Sequence, residues 1–483
     1  MTETFNLIDE PWLSVRTPDG RAMVGLRGLF ADAGRIIRLE GDEPIQRFAL
    51  HRLVMAVNAI AIHDGITPVE YLERHYDRFD LIDPEHPFLQ SPSLEPQDRT
   101  SGLGKLLEPT APGKHRAFLS RRGRHSVGSG SNVKSLGTPA GYTIGLAEAA
   151  RHVVETHAAR GGGVSTATRA NGRDDPLSGG NERKRSPGGP LLRADSILVE
   201  GVTFADTLRL NPVGDIPDGD RPSWETDETD PYDHTDVLEG GAQPAGPVSM
   251  LTWRAARIRL YVAGGRVHDA LVTAGDWLKP ECSTRVDPML LTRTRPDGTV
   301  GVARPGALWR AWADPALRRT PNMAGPWPED VTVTLLHPVT DGNIAIVNDL
   351  TADAVRIPVG ADPDGVWTAD LAGRAETARR AMFGGFMAAM RAAGCDDKKT
   401  ILKKAGDRAS ARAVAAIDRA ARTIPATPDP DDAIRDACAM ACARVLDEWD
   451  MGLPRAARLA GFTWDGTLAA ILAAWGFDDK EKR

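Results

Sequence analysis

"PIQRFALHRLVMAVNAIAIHDG", residues 44–65, is the stretch on which the reading of the fold turns. Phe48, Leu50, Leu53, Val54, Val57 and Ile60 recur at helical spacing. Pro44 suits a first helical position, where its missing N–H would have no partner anyway, and Gly65 suits the stop. The spacing therefore predicts a helix beginning at Pro44 and ending at Gly65. Around it, short apolar runs alternate with turns: "LIDEPWLSV" (7–15), "SILVEG" (196–201), "ARIRLYVA" (256–263), "VTVTLLHPV" (331–339) and "AIVNDL" (345–350). Such runs between turn signals read as strands. Beyond about residue 366 the texture becomes Ala-rich, and four helix-forming segments follow, with Pro425, Pro428 and Pro430 between the middle pair. Asp429 to Asp432 favour the positive N-terminal end of the third. The expected fold class is α+β: a large mixed α/β domain over 1–365, then an all-α four-helix bundle over 366–483. A chain of 483 residues exceeds the size at which one core stops growing, which agrees with two domains.

Composition narrows the function classes. With 41% hydrophobic and 26% charged residues the chain reads as an ordinary soluble protein. No uninterrupted apolar run reaches about 18 residues, and "MTETFNLIDE" lacks a basic region ahead of an apolar one, so the expectation is cytoplasmic, with no membrane. Cys282, Cys395, Cys438 and Cys442 lack paired CxxC spacing and read as reduced, mostly buried thiols. The net charge of −7 argues against wholesale coating of nucleic acid, but its distribution is uneven. Between Glu108 and Glu148 there is no acid, only Lys114, Arg116, Arg121, Arg122, Arg124 and Lys134 among Gly, Ser and Asn, a composition suited to ordering on a polyanion. Residues 206–239 carry eleven acids against Arg209 and Arg221 and read as a solvated loop or insertion. Residues 374–422 hold twelve Lys or Arg and five Asp or Glu, among them Lys398, Lys399, Lys403, Lys404 and Arg408. That surplus is either a solvated surface or a face that tracks phosphates. By composition, neither 113–135 nor 170–190 is expected to order alone.

"ARGGGVSTATRANG", residues 159–172, raises a separate question. Gly161, Gly162 and Gly163 carry no Cβ and allow an approach that side chains would block, by a phosphate, a base-pair edge or another backbone. Enzyme signatures are missing. His152 and His157 in "HVVETH" stand five apart and turn to different sides of a helix, and there is neither a GxSxG elbow nor a GxxxxGK[ST] loop. No coherent catalytic constellation is present.

The opening "FNLIDEPWLSVRTPDG" (5–20), followed by "FALHRLVMAVNAIAI" (48–62) and "DLIDPEHPFLQ" (80–90), resembles the N-terminal signature of the CasA family, large subunits of the type I-E CRISPR surveillance complex Cascade. "APGKHRAFLS" (111–120), "ARGGGVSTAT" (159–168) and "LTWRAARIRL" (251–260) are similar to later family segments, so the resemblance runs nearly the whole length. It implies a non-catalytic subunit with no cofactor and no metal, since only Cys282 stands where some members carry a zinc-ribbon-like set. Implied partners are crRNA, double-stranded target DNA and its displaced strand, the other Cascade subunits and a helicase-nuclease. Members read the protospacer-adjacent motif (PAM) as duplex, help open the helix and license nuclease recruitment. Carried over residue by residue, Gly161 to Gly163 become a minor-groove probe and Lys279 a lysine finger, an exposed lysine beside Pro280 being the other reading. Asp341-Gly342-Asn343 become the tip of a wedge hairpin, although the family's usual glutamine is missing and a plain hairpin stays open. Phe118, with Arg121 and Arg122, would touch the guide 5′ handle, or Phe118 packs in the core. A free-standing RNA-binding or scaffold protein is the alternative, which co-purification with a guide RNA and partner subunits would separate.

Overall fold

The computed structural model describes residues 4–96, 143–164, 168–178, 185–186, 188–227, 241–279, 287–306, 308–314, 317, 327, 329–340 and 347–357. The strands in chain order are β1 (Leu13–Thr17), β2 (Gly20–Val24), β3 (Arg38–Leu39), β4 (Leu94–Pro96), β5 (Ile144–Gly145), β6 (Gly163–Val164), β7 (Thr168–Ala170), β8 (Arg173–Asp174), β9 (Arg185–Ser186), β10 (Ser196–Glu200), β11 (Ala256–Ala263), β12 (Arg266–Ala274), β13 (Thr292–Thr294), β14 (Val300–Val302), β15 (Val331–Thr340) and β16 (Val347–Ile357). The helices are α1 (Leu26–Ala31), α2 (Pro44–His63), α3 (Pro68–Arg74), α4 (Leu146–Ala159), α5 (Phe204–Leu210), α6 (Pro247–Leu251) and α7 (Leu308–Ala313). Three-stranded sheets run β2-β1-β3, β10-β15-β16, β11-β12-β5 and β4-β7-β8, and β6-β9 and β13-β14 are two-stranded. Two compact units divide the chain. The first takes residues 1–304, 319–324 and 329–356, and the second takes 305–318, 325–328 and the chain from 357, with α7 its described helix. The expected four-helix bundle lies outside the described residues.

Helix α2 is the helix that the opening stretch predicts. Pro44 occupies its first turn, and Gly65, with φ +71°, takes the left-handed conformation that ends it. It is buried on every side rather than on one face: besides the apolar residues, Gln46, His51 and Arg52 are enclosed. By length and composition α2 could cross a membrane, but most of it is inside the protein, as expected of a core helix. Each Phe, Leu, Ile or Val so enclosed contributes about 1.5–3 kcal/mol. The helix packs against α3, α4 and α6.

The segments that open "FNLIDEPW" (5–12) and precede "DPEHPFLQ" (83–90) are physical partners. Leu7 N donates to Phe79 O (2.9 Å), Leu81 N to Phe5 O (3.0 Å), and Asp80 Oδ1 accepts from Phe5 N and Ile82 N at 3.0 Å. Trp12 turns its indole N–H to Leu7 O (2.9 Å) inside the core. Farther along, Phe88 stacks on Phe79 at 5.1 Å, and Gln90 bridges Leu81 O (2.6 Å) to Leu260 N (3.0 Å) of β11. The chain just ahead of "IDEPW" and the chain just ahead of "HPFLQ" are thus joined by a backbone bridge between residues 5–7 and 79–81.

Two expectations are corrected. Of residues 206–227, only 212–219, with Asp215 and Asp218, is the exposed irregular loop expected; the flanks are not. Asp206 closes a capping box with Thr203 at the start of α5, Asp220 is buried and accepts from Val248 N and Ser249 N at 2.8 Å, and Glu225 receives the Tyr71 hydroxyl and Arg221. Those acids serve as hydrogen-bond acceptors at fixed places, which composition does not reveal. Residues 228–240 lie outside the described residues. Likewise 170–178 is ordered. Asn171 (φ +50°) and Gly172 (φ +73°) form the turn between β7 and β8, a conformation that Asn-Gly favours. Asp175 then takes Thr168 Oγ1 (2.9 Å), Leu177 N (2.8 Å) and Arg257 (2.8 Å).

Arg52 on α2 meets Asp287 at 2.7 Å, with both side chains enclosed. The contact is off hydrogen-bond alignment, so its strength is chiefly electrostatic, while Arg52 also donates to Met250 O at 2.7 Å. Replacing Asp287 with Ala should cost about 3–5 kcal/mol in urea unfolding, because a buried guanidinium is stranded. Pairing Arg52→Met with Asp287→Leu should recover most of that loss.

Candidate nucleic-acid interface

Helix α4 ends at Arg160, whose extended backbone (φ −62°, ψ 134°) carries the chain straight into Gly161 and Gly162. Both glycines are buried, and Gly163 opens β6, paired with Ser186 of β9. What comes close to this bare backbone is another bare backbone. A Cβ on Gly188 (φ +81°) would fall 2.8 Å from Gly162 N, and one on Gly189 would fall 2.5 Å from Ala158 O. Gly189 N donates to Arg160 O at 2.7 Å and closes the contact.

The segment 188–195 then ties several elements together. After the 3-10 turn Pro190–Leu192, the buried Arg193 donates to Leu278 O at 2.9 Å. Lys279 is half-buried, and its N–H donates to Ala242 O at 3.1 Å. Past Lys279 the described chain resumes at Asp287, the partner of Arg52, and runs beside β10: Ile197 N donates to Met289 O (2.8 Å) and Leu291 N to Asp195 O (2.7 Å). The stretch between Lys279 and Asp287 therefore has both feet on the core. On the other side of β10, β15 runs antiparallel with Ser196 opposite Leu336, and His337 Nδ1 lies 2.6 Å from Asp195 Oδ1. This register sends β15 out toward residue 341 at the end of the sheet where 188–195 enters. The glycine turn, Lys279 and the root of the β15–β16 pair are thus gathered around one eight-residue segment. Asp341, Gly342 and Asn343 themselves lie outside the described residues. So do Phe118, Arg121, Arg122, Lys398, Lys399, Lys403, Lys404, Arg408 and the four cysteines.

Sequence reasoning missed Arg193, Asp195 and His337, which do the gathering. No local signal marks them, because their partners are 142 residues away for Asp195 and 85 for Arg193. The two histidines of "HVVETH" point apart as their spacing requires. His152 lies near Glu148 (3.8 Å) and Glu155 (3.5 Å), whereas His157 Nε2 meets Leu89 O at 2.8 Å. Leu89 itself holds a left-handed backbone, φ +51°. No group of three His, Cys, Asp or Glu suited to a metal occurs among the described residues. A cleft of about 290 Å³ near Leu89 is lined by Arg78, His86, Phe88, Gln90, Trp224 and Arg254.

The comparison with known proteins decides the family: the sequence profile described as CRISPR-associated protein Cse1 matches residues 6–460. The chain belongs to the Cse1 family. The CasA/Cse1 protein of Thermus thermophilus is 27% identical over 332 residues, which cover 65% of this chain and 59% of that relative. The crystal structure of Thermobifida fusca Cse1 has the same fold, with a TM-score of 0.68, 23% identity and 98% and 99% of the two chains covered. A chain from a structure described as a CRISPR RNA-guided surveillance complex follows at a TM-score of 0.62 and 19% identity, covering 97% and 99%.

Burial holds two histidines neutral. Desolvation, then Arg47, pushes His51 down to about 3, and desolvation, then Arg254 and Arg160, outweighs a hydrogen bond to Leu89 and holds His157 at about 4. The unfolded chain takes up these protons near the ordinary histidine value, so acid favours unfolding: the stability is complete above about pH 6.5 and is lost as pH falls toward 4. Between pH 7 and pH 5 each should remove about 2 kcal/mol, read by urea unfolding, and His51→Gln should flatten the slope.

Proposed function

We propose that this chain is the non-catalytic large subunit of a type I-E Cascade complex and reads the PAM of invading double-stranded DNA through the minor groove. Gly161 to Gly163 are the probe and Lys279 the finger. The minor groove is about 6 Å wide and presents mainly acceptors, so a bare backbone and an ammonium donor are suitable readers. The tip at Asp341, Gly342 and Asn343 wedges the duplex beside the motif. Phe118 stacks on the guide 5′ handle while Arg121 and Arg122 take phosphates. The basic surface with Lys398, Lys399, Lys403, Lys404 and Arg408 holds displaced strand or neighbouring subunits, and the loaded complex recruits a helicase-nuclease. Base pairing with the guide reads the long target, leaving the protein only the short motif.

The observation that carries this reading is the gathering of the glycine turn, Lys279 and the root of the β15–β16 pair around residues 188–195. Membership of the Cse1 family supports it, as does the shared fold with a chain of an RNA-guided surveillance complex. Gly161 and Gly162 are buried in the free chain, so on this reading the chain over the turn moves aside when duplex arrives.

The test is target binding by the complex assembled with guide RNA and the other subunits. Gly162→Leu should abolish PAM-dependent binding while leaving assembly intact. Lys279→Ala should weaken binding by about 1–3 kcal/mol, roughly fivefold to 150-fold, by removing one charged donor. Unchanged affinity in both variants, or failure of the chain to co-purify with guide RNA and partner subunits, would overturn the reading.

A further inference from the structure

Buried guanidinium groups in this fold follow a rule. Arg52 faces Asp287 at 2.7 Å, Arg257 faces Asp175 at 2.8 Å, Arg47 pairs with Glu200, and Arg193 donates to Leu278 O at 2.9 Å. Arg160 departs from it. Only 9% exposed, its guanidinium meets no carboxylate and no acceptor among the described residues, and its NH1 is fully enclosed and unanswered. Burial alone lowers its pKa to about 10, so it stays cationic at neutral pH. Its neighbour one turn back on the same helix face, His157, is neutral and supplies no countercharge, and His157 Nδ1 is a second enclosed atom without a partner. The end of α4 offers about half a negative charge, which leaves the guanidinium net positive. An enclosed cation without a counterion is unfavourable enough that fold stability alone does not account for it.

Its place indicates what completes it. Arg160 is the last residue before Gly161 and Gly162, and Gly188 and Gly189 back the turn, so what arrives there meets backbone rather than side chains. We propose that Arg160 is the seat for a phosphodiester oxygen of the nucleic acid that lies across the glycine turn. A planar guanidinium fork matches phosphate geometry, and the turn next to it, read as a duplex probe, brings a phosphodiester rather than a single small acid. This rests on the reading of the turn as a duplex probe and adds to it a charged anchor that fixes the backbone while the glycines read the groove.

Two measurements on Arg160→Met and Arg160→Lys test it. In thermal unfolding of the full chain, inorganic phosphate at constant ionic strength should raise the melting temperature of the native protein and of Arg160→Lys, and leave Arg160→Met unmoved. In duplex titrations of the assembled complex across salt concentrations, Arg160→Met should bind about tenfold more weakly. Its slope of log affinity against log salt should be shallower by about one, as loss of a single phosphate contact requires. Arg160→Met should unfold no earlier than the native chain in phosphate-free buffer, whereas a merely structural arginine would lower its melting temperature. An equal phosphate response in native chain and Arg160→Met, or an unchanged salt slope, would overturn the proposal. Full PAM-dependent affinity in Gly162→Leu together with a reduced slope in Arg160→Met would instead sink the minor-groove reading and leave the anion seat standing.

Discussion

A helix enclosed on all sides needs partners for the polar side chains it carries into the core, and α2 carries three. Gln46 donates to Glu155 at 3.0 Å, His51 turns Nδ1 to Arg47 O at 2.8 Å, and Arg52 meets Asp287. Each answer recruits a distant part of the chain or the helix backbone itself, since an unanswered buried charge is far less favourable than a paired one. The pair with Asp287 reaches furthest in sequence, and it fixes one foot of the stretch that carries Lys279.

From that constraint the arrangement of the site follows in steps. Asp287 places Met289 and Leu291 against β10, Asp195 ties the same point to His337 of β15, and Arg193 reaches back to Leu278. Gly188 and Gly189, lying just ahead, let the segment press on the end of α4 with no side chain between. Close packing of bare backbone and buried ionic anchors tie this region to the core, where a surface loop would have few such contacts.

How much of this is legible in the sequence depends on the range of the interaction. The limits of α2 are legible because Pro44 and Gly65 act locally, and the strands of β10, β11 and β15 because their apolar runs do. That Arg52 is inside is not legible, since its partner lies 235 positions away and nothing at 52 announces it. The acid-rich stretch misleads because counting charges passes over Thr203 and Asp206, whose three-residue spacing does signal a helix start. "IDEPW" and "HPFLQ" are plain in the sequence, but the backbone bridge between residues 5–7 and 79–81, just ahead of them, is visible only in three dimensions. Of the candidate site, the glycines and Lys279 can be picked out as residue types, while the segment that brings them together offers nothing to a linear reading.

A stretch held by both feet behaves differently from one that hangs free. Among the described residues, the groups that anchor the flanks of this span are the Leu278 carbonyl, the Lys279 amide and the Asp287 carboxylate. The entropy of closing that span is already met by the fold and grows only slowly with its length. By chain entropy alone, a span closed at both ends changes length at little cost, so fixed flanks let one scaffold carry tips of different length.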